Sequence, residues 1–385
     1  MHFHTNDAHI GDIMKDDFYR RAFGTDGRGE ESSRYRRKKS EPTPEDDILL
    51  SEDERKETKA AFSRVGLSLF AFTAASYLVI LLTYLVLFIF FREQMERITS
   101  DVYFTWGLNV LSMYIVALPV LFLILRGMKR TERKKSRLGI DEFVLLFLSA
   151  EGVMMLGNLI GLNLNNLIAT LLGREITNDV TALISDSPVW LIILVAVIIG
   201  PVVEELIFRK LIIDRLSRFG DLTAVIVSSL AFGLFHGNFY QFFYALGLGL
   251  ILGYIYTKTR NILYPVLMHM LINFTGSVAV LPITDMLSEF EAMTEAMATG
   301  GAIDYSRFII MLNVIFTYVI VEYGMAIAGI VILIKKLRTN SIYISNRAEI
   351  TLPRKKTVSL VILNVGMILF IAVSLIQFAL NIFMV

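Results

Sequence analysis

Ile199-Gly200-Pro201-Val202-Val203-Glu204-Glu205-Leu206-Ile207-Phe208-Arg209 lies in the lower half of a long apolar run that begins near Pro188. Charges in such a run are expensive. Inside a membrane span each costs about 2.5–3.5 kcal/mol even on the lenient insertion scale, so by default they mark function. If the run is helical, Glu205 and Arg209 are four apart and share a face, a good ion-pair spacing. Glu204 then points about 100° round the helix from Glu205. One acid can be held by the arginine while the other faces a cavity. A salt-bridged packing motif explains the same residues, because structural ion pairs also perturb ionisation. The stretch alone leaves both readings open.

The rest of the chain settles what kind of protein carries it. Of 385 residues, 55% are hydrophobic, and the mean hydropathy is +0.59. A soluble domain of this size is usually about 45–50% apolar even with glycine counted. The expectation is an all-α, polytopic membrane helix bundle. A net charge of +1 gives no overall pull toward nucleic acid, so the expected partners are the lipid bilayer and a membrane-associated substrate. The absence of cysteine excludes disulfides, thiolate nucleophiles and cysteine-ligated metals.

About nine apolar runs approach the ~20 residues a bilayer requires: 66–91, 104–125, 142–169, 188–213, 222–237, 239–257, 262–281, 308–334 and 359–384. Only His236-Gly237-Asn238 separates the fifth from the sixth. Basic residues fill alternate linkers: Lys56, Lys59 and Arg64; 129–137; Arg209, Lys210, Arg215 and Arg218; Lys258 and Arg260; and Lys335, Lys336, Arg338, Arg354, Lys355 and Lys356. The intervening linkers are short or acidic, as with Asp285, Glu289, Glu291, Glu295 and Asp304. The positive-inside rule therefore places the N-terminus in the cytoplasm and the C-terminus on the far side. The cluster at 129–137 is expected to enforce topology and contact anionic lipid. No signal-type apolar core precedes residue 65, so no cleaved secretory signal is expected.

The chain divides into a polar, disordered or loosely helical cytoplasmic tail over 1–60, N-terminal spans over 61–187, a core at 188–281, and a loop with two spans at 282–385. In the tail, His2, His4 and His9 read as solvated residues rather than a metal site. No internal repeat of the kind that builds transporters is visible.

Only two further histidines exist, His236 and His269, in spans five and seven. His269 and Asn273 are four apart and share a helical face, as are Phe232 and His236. A lone histidine in a bundle usually satisfies a hydrogen bond. Two glutamates, two histidines and an asparagine on three nearby spans supply instead a carboxylate base, imidazoles and an amide donor for an oxyanion.

The ordered set Glu204-Glu205-x-x-x-Arg209, Phe232-x-x-x-His236 and His269-x-x-x-Asn273 resembles the three motifs of the CAAX-prenyl-protease and bacteriocin-processing (CPBP, or Abi) family of intramembrane endopeptidases. The glycine-rich run 246–254 is also similar to the family. The resemblance covers 188–281 and implies that Glu204 activates water, with His236 helping to hold it. His269 and Asn273 would stabilise the oxyanion, and Glu205, paired with Arg209, would support the site. The implied setting is a multi-pass protein of a bacterial cell membrane, and the implied substrates are membrane-associated peptides or proteins, prenylated or bacteriocin-like among them.

Zinc is the alternative cofactor, because Glu204, His236 and His269 would make an open three-ligand site. The chain lacks His-Glu-x-x-His, and Asn273 suits an oxyanion better than zinc, so the favoured reading requires no cofactor. Two rivals stand: an idle scaffold or immunity protein with the same fold, and a proton-coupled transporter using the same acids.

Three expectations remain open to the fold. Counted from the cytoplasmic ends, His269 is about seven residues deep and His236 about fourteen, a difference of ~10 Å at 1.5 Å per residue. Span five must be tilted, or begin below the surface through the polar segment 214–221. Glu151 and Glu322 are further acids in spans, with Glu151 read as a helix–helix hydrogen bond. Asn158, Asn163, Asn165 and Asn166 are expected to bond between helices.

Overall fold

A computed structural model describes residues 50–344 and 347–383. The three tail histidines, the basic run 34–39 and the tail up to residue 49 lie outside the described residues. What is described of the expected tail is helical. Ser51 caps it reciprocally with Glu54: each backbone N–H is taken by the other's side chain, at 2.9 and 3.2 Å. This capping box satisfies two otherwise orphaned donors.

The long helices in chain order are α1 (Glu52–Phe90), α2 (Val102–Leu125), α3 (Ile140–Leu172), α4 (Val189–Phe219), α5 (Asp221–Phe235), α6 (Phe239–Thr259), α7 (Leu263–Ala298), α8 (Tyr305–Arg338) and α9 (Val365–Phe383). Among the described residues there is no strand, and eight helices are long and apolar enough to cross a membrane. The protein is an integral, multi-pass helix bundle.

The ninth expected span is where the structure departs from hydropathy. Helix α5 has 15 residues and reaches about 22 Å, short of the ~30 Å hydrocarbon core. The segment before it is not at the surface: Asp214, Arg215, Ser217 and Asp221 are all buried. The start of span five is thus covered by protein, and the rings of His236 and His269 both reach Phe232. The weak boundary after α5 is a true turn. Gly237 takes the left-handed conformation at φ +65°, and the Asn238 side chain caps α6 by accepting from the Gln241 N–H at 2.9 Å, as helix C- and N-caps commonly do. Helix α7 runs on past its expected end to Ala298, so most of the acidic linker is helical.

Helix α3 packs on α6 and α8, α5 on α6, and α1 on both α2 and α9. Backbone approach sets these contacts. A Cβ on Gly366 of α9 would lie 1.7 Å from the Ser63 carbonyl of α1, and one on Gly329 of α8 equally near the Leu148 carbonyl of α3. Small residues at helix contacts are how bundles in lipid gain van der Waals contact.

The two ends of the bundle differ. One end is tied by charge. Asp221 is shared by Arg133 and by Arg260 at 2.5 Å. Asp214 accepts from the Tyr256 hydroxyl and pairs with Lys210, each at 2.7 Å. Lys258 reaches Glu142 at 2.5 Å and Lys129 reaches Glu349 at 2.7 Å. Part of the 129–137 cluster thus ties linkers together within the protein. The asparagines of α3 also differ from expectation: Asn163 and Asn165 donate to carbonyls one turn back in their own helix, at 2.7 and 3.1 Å. The opposite end, with the linkers 173–188 and 236–238, holds the cavities.

Candidate active site

Helix α4 carries the two acids in a short regular stretch, Gly200–Glu205, with wide π-type turns on either side, Ile193–Ile199 and Leu206–Ile213. Pro201, at the start of the stretch, lacks the N–H that would close the preceding turn, and π-type turns are frequent at functional sites. The local result is the division expected from the spacing. Glu205 is fully buried against Arg209, with Arg209 Nε donating to Oε2 at 2.8 Å and Nη2 to Oε1 at 3.4 Å. Arg209 also donates to Ser228 Oγ of α5 at 3.1 Å, and Ser228 donates to the Phe208 carbonyl at 2.7 Å. Two charges removed from water need this degree of pairing to persist.

Phe232 of α5 is the post around which the rest turns. The Arg209 guanidinium lies 5.2 Å from its ring centre. The rings of His236 and His269 stand perpendicular to it at 5.0 and 5.7 Å. His269 Nδ1 lies 3.0 Å from Glu205 Oε1, and its Nε2 lies 3.6 Å from Glu204 Oε2. A carboxylate only accepts, so Nδ1 bears the proton and the ring's orientation is fixed from behind. His236 Nδ1 lies 2.8 Å from the Phe232 carbonyl and must donate there. Its Nε2 in the neutral ring is therefore a lone-pair acceptor.

A cavity of about 470 Å³ receives these groups. Glu204, His236, His269 and Asn273 line it, while Glu205 and Arg209 do not. The six expected site residues thus separate into four that face the cavity and a buried pair behind His269. Asn273 donates one amide hydrogen to the Ala196 carbonyl at 2.9 Å, which orients the amide and leaves the second hydrogen free of that bond.

The sequence reading missed part of the lining. Tyr114 of α2 and Tyr244 of α6 share the cavity with Glu204; a tyrosine in an apolar span gives no warning of it. Glu151 and Glu322 also line it. Glu151 accepts from the Thr275 hydroxyl of α7 at 3.0 Å, so the expected helix–helix bond is present and the residue faces the cavity as well.

The zinc alternative asks Glu204, His236 and His269 to converge on one point. Among the described residues no three His, Asp or Glu side chains stand close enough together to hold a metal ion. This arrangement does not fit a zinc site, and no step below runs through one.

One comparison with known proteins falls on the same residues. A family model described as type II CAAX prenyl endopeptidase Rce1-like matches residues 186–275, which hold all three motifs. The chain is 26% identical over 197 residues to a Bacillus subtilis protein named "Putative membrane peptidase YdiL", covering 50% of this chain and 80% of that one. It is 36% identical over 83 residues to the membrane-embedded CAAX protease MroQ of Staphylococcus aureus, covering 20% of this chain and 34% of that one. No solved structure matches. With its motif residues gathered on one cavity inside a helix bundle, the segment 186–275 is similar to the Rce1-like CAAX prenyl endopeptidases, and the chain resembles membrane peptidases of that kind.

Proposed function

We propose that the protein is an intramembrane endopeptidase that hydrolyses membrane-associated peptides or proteins with a water activated by Glu204. The observation that carries this reading is the separation of the two adjacent acids. Glu205 is neutralised by Arg209 and anchors His269, while Glu204 faces the cavity with 18% of its side chain exposed. A carboxylate without an arginine or lysine partner, within reach of water, is what a general base needs.

The reaction follows from the atoms. Water held by His236 Nε2 gives a proton to Glu204, and the hydroxide adds to the substrate carbonyl carbon. The oxyanion is met by the free Asn273 amide hydrogen, a fixed donor, with His269 beside it. As the tetrahedral intermediate collapses, Glu204 passes its proton to the leaving amine and the C–N bond breaks. The cavity lies at the end of the bundle away from the basic linkers. With those linkers in the cytoplasm, it opens toward the extracytoplasmic side.

The test is cleavage of membrane-anchored reporter peptides by purified protein in liposomes, comparing wild type with Glu204→Ala and His269→Ala, each with and without a strong chelator. The expected result is cleavage by wild type that survives chelation and is lost in both variants. Cleavage abolished by chelation and restored by zinc would replace the glutamate mechanism with a metal one. Cleavage unchanged in Glu204→Ala would remove Glu204 from the chemistry.

A further inference from the structure

A second cavity, of about 370 Å³, meets the first at Asn178, Val180, His236 and Tyr240. Its far wall is Tyr77 of α1 with Gln377, Leu380 and Asn381 of α9. Among the described residues that line it, His236 alone is titratable near neutrality, whereas the first cavity carries Glu204, Glu151 and Glu322.

One group here is out of balance. Gln377 Nε2 donates to the Tyr77 hydroxyl at 3.3 Å, but Gln377 Oε1 is buried without a partner. Turning the amide over does not cure this, because Tyr77 serves only one end of it. Buried polar groups are almost always paired, and an exception calls for a use. The stem of Gln377 packs closely on the turn after α5. An added Cβ on Gly237, the residue after His236, would lie 2.9 Å from Gln377 Cβ.

A peptide bond presented to Glu204 and His236 has left any helix, so its flanking N–H and C=O groups have lost their partners. In a bundle surrounded by lipid those groups must be satisfied by the protein. A carboxamide offers both a donor and an acceptor, as a peptide main chain requires. We propose that the second cavity binds the extended main chain of the substrate on one side of the scissile bond, and that Gln377 accepts a hydrogen bond from a substrate backbone N–H. This rests on the peptidase reading above. The substrate class it defines is a segment unwound for several residues on that side, whatever its side chains.

Two measurements test it. The first takes reporters lengthened one residue at a time on either side of the cleaved bond. For wild type, KM should fall with length on one side only. Gln377→Leu should lose about tenfold of that gain, with kcat within about twofold, the scale of one unpaired buried hydrogen bond. The second uses the cysteine-free chain. Gln377→Cys is combined with Glu204→Ala, and disulfide cross-linking is read to reporters bearing one cysteine on either side of the bond. Cross-linking should favour the side whose lengthening lowered KM. An unchanged length dependence in Gln377→Leu, or cross-linking indifferent to side, would overturn the subsite. Cross-linking needs no turnover, so a side-specific cross-link without wild-type cleavage would refute the peptidase and keep the binding site. Cleavage without any length effect would do the reverse.

Discussion

Replacing Arg209 by Met asks whether the buried ion pair supports the site by its charge. Both partners are fully buried, and the guanidinium meets both carboxylate oxygens of Glu205, at 2.8 and 3.4 Å. Removing one member of such a pair leaves the other charged and unsolvated, at about 3–5 kcal/mol, or roughly 150- to 5,000-fold in the folding constant. Met keeps the length of the side chain, so a cavity adds little. Contact with the Phe232 ring face is weakened as well. The companion variant, Glu205→Leu with Arg209→Met, removes both charges. Its remaining deficit is the His269 Nδ1–H without its acceptor, about 1–3 kcal/mol. The double variant should therefore unfold at higher denaturant than the single one, while both lose cleavage because His269 is no longer held as in wild type. Reversible unfolding in mixed detergent micelles, followed by tryptophan fluorescence, measures the cycle. An Arg209→Met protein within about 1 kcal/mol of wild type, or a double variant no more stable than the single, would refute the reasoning.

Asn273→Ala should lower kcat about 10²- to 10³-fold, as loss of an oxyanion donor does, with KM little changed; a pure KM effect would move Asn273 from chemistry to binding. In intact cells, a membrane-impermeant thiol reagent should label Thr181→Cys, at the cavity, and spare Lys134→Cys, on the basic linker, until the membrane is opened; the reverse pattern would invert the proposed orientation. Glu349 outside the spans is held below the ordinary glutamate range by its hydrogen bond from Lys129, with Arg218 and Arg133 adding to it. A lowered folded-state value contributes stability above the unfolded value and loses it as pH falls through the lowered one. Glu349→Gln should therefore flatten the loss of thermal stability between about pH 5 and pH 3. The difference should be well under 1 kcal/mol, because the pair is exposed. An unchanged acid slope would count against the linker network.

Much of this protein was legible because a membrane makes polarity expensive. Glu204, Glu205, Arg209, His236, His269 and Asn273 stood out in apolar runs for that reason, and four-residue spacing alone foretold which acid Arg209 would take. The bundle and eight of its nine expected spans followed from hydropathy and length. Hydropathy could not see that the start of α5 is covered by protein. It scores a residue by its type, and the burial of Asp214, Arg215 and Asp221 depends on Arg133, Tyr256 and Arg260, which are distant in the chain. Nor could spacing show that His269 would bridge the two glutamates, or that Phe232 would stand between the histidines and Arg209. Those contacts join three helices whose approach is decided by packing. Gln377 lay beyond reach altogether. An amide near the end of the last helix is unremarkable in sequence, and its unpaired oxygen exists only where α1, α9 and the turn at Gly237 come together. The sequence by itself determined which residues were too costly to be accidental; the tertiary structure alone decided which faced the cavity and which stood behind it, because burial and pairing are properties of neighbours in space.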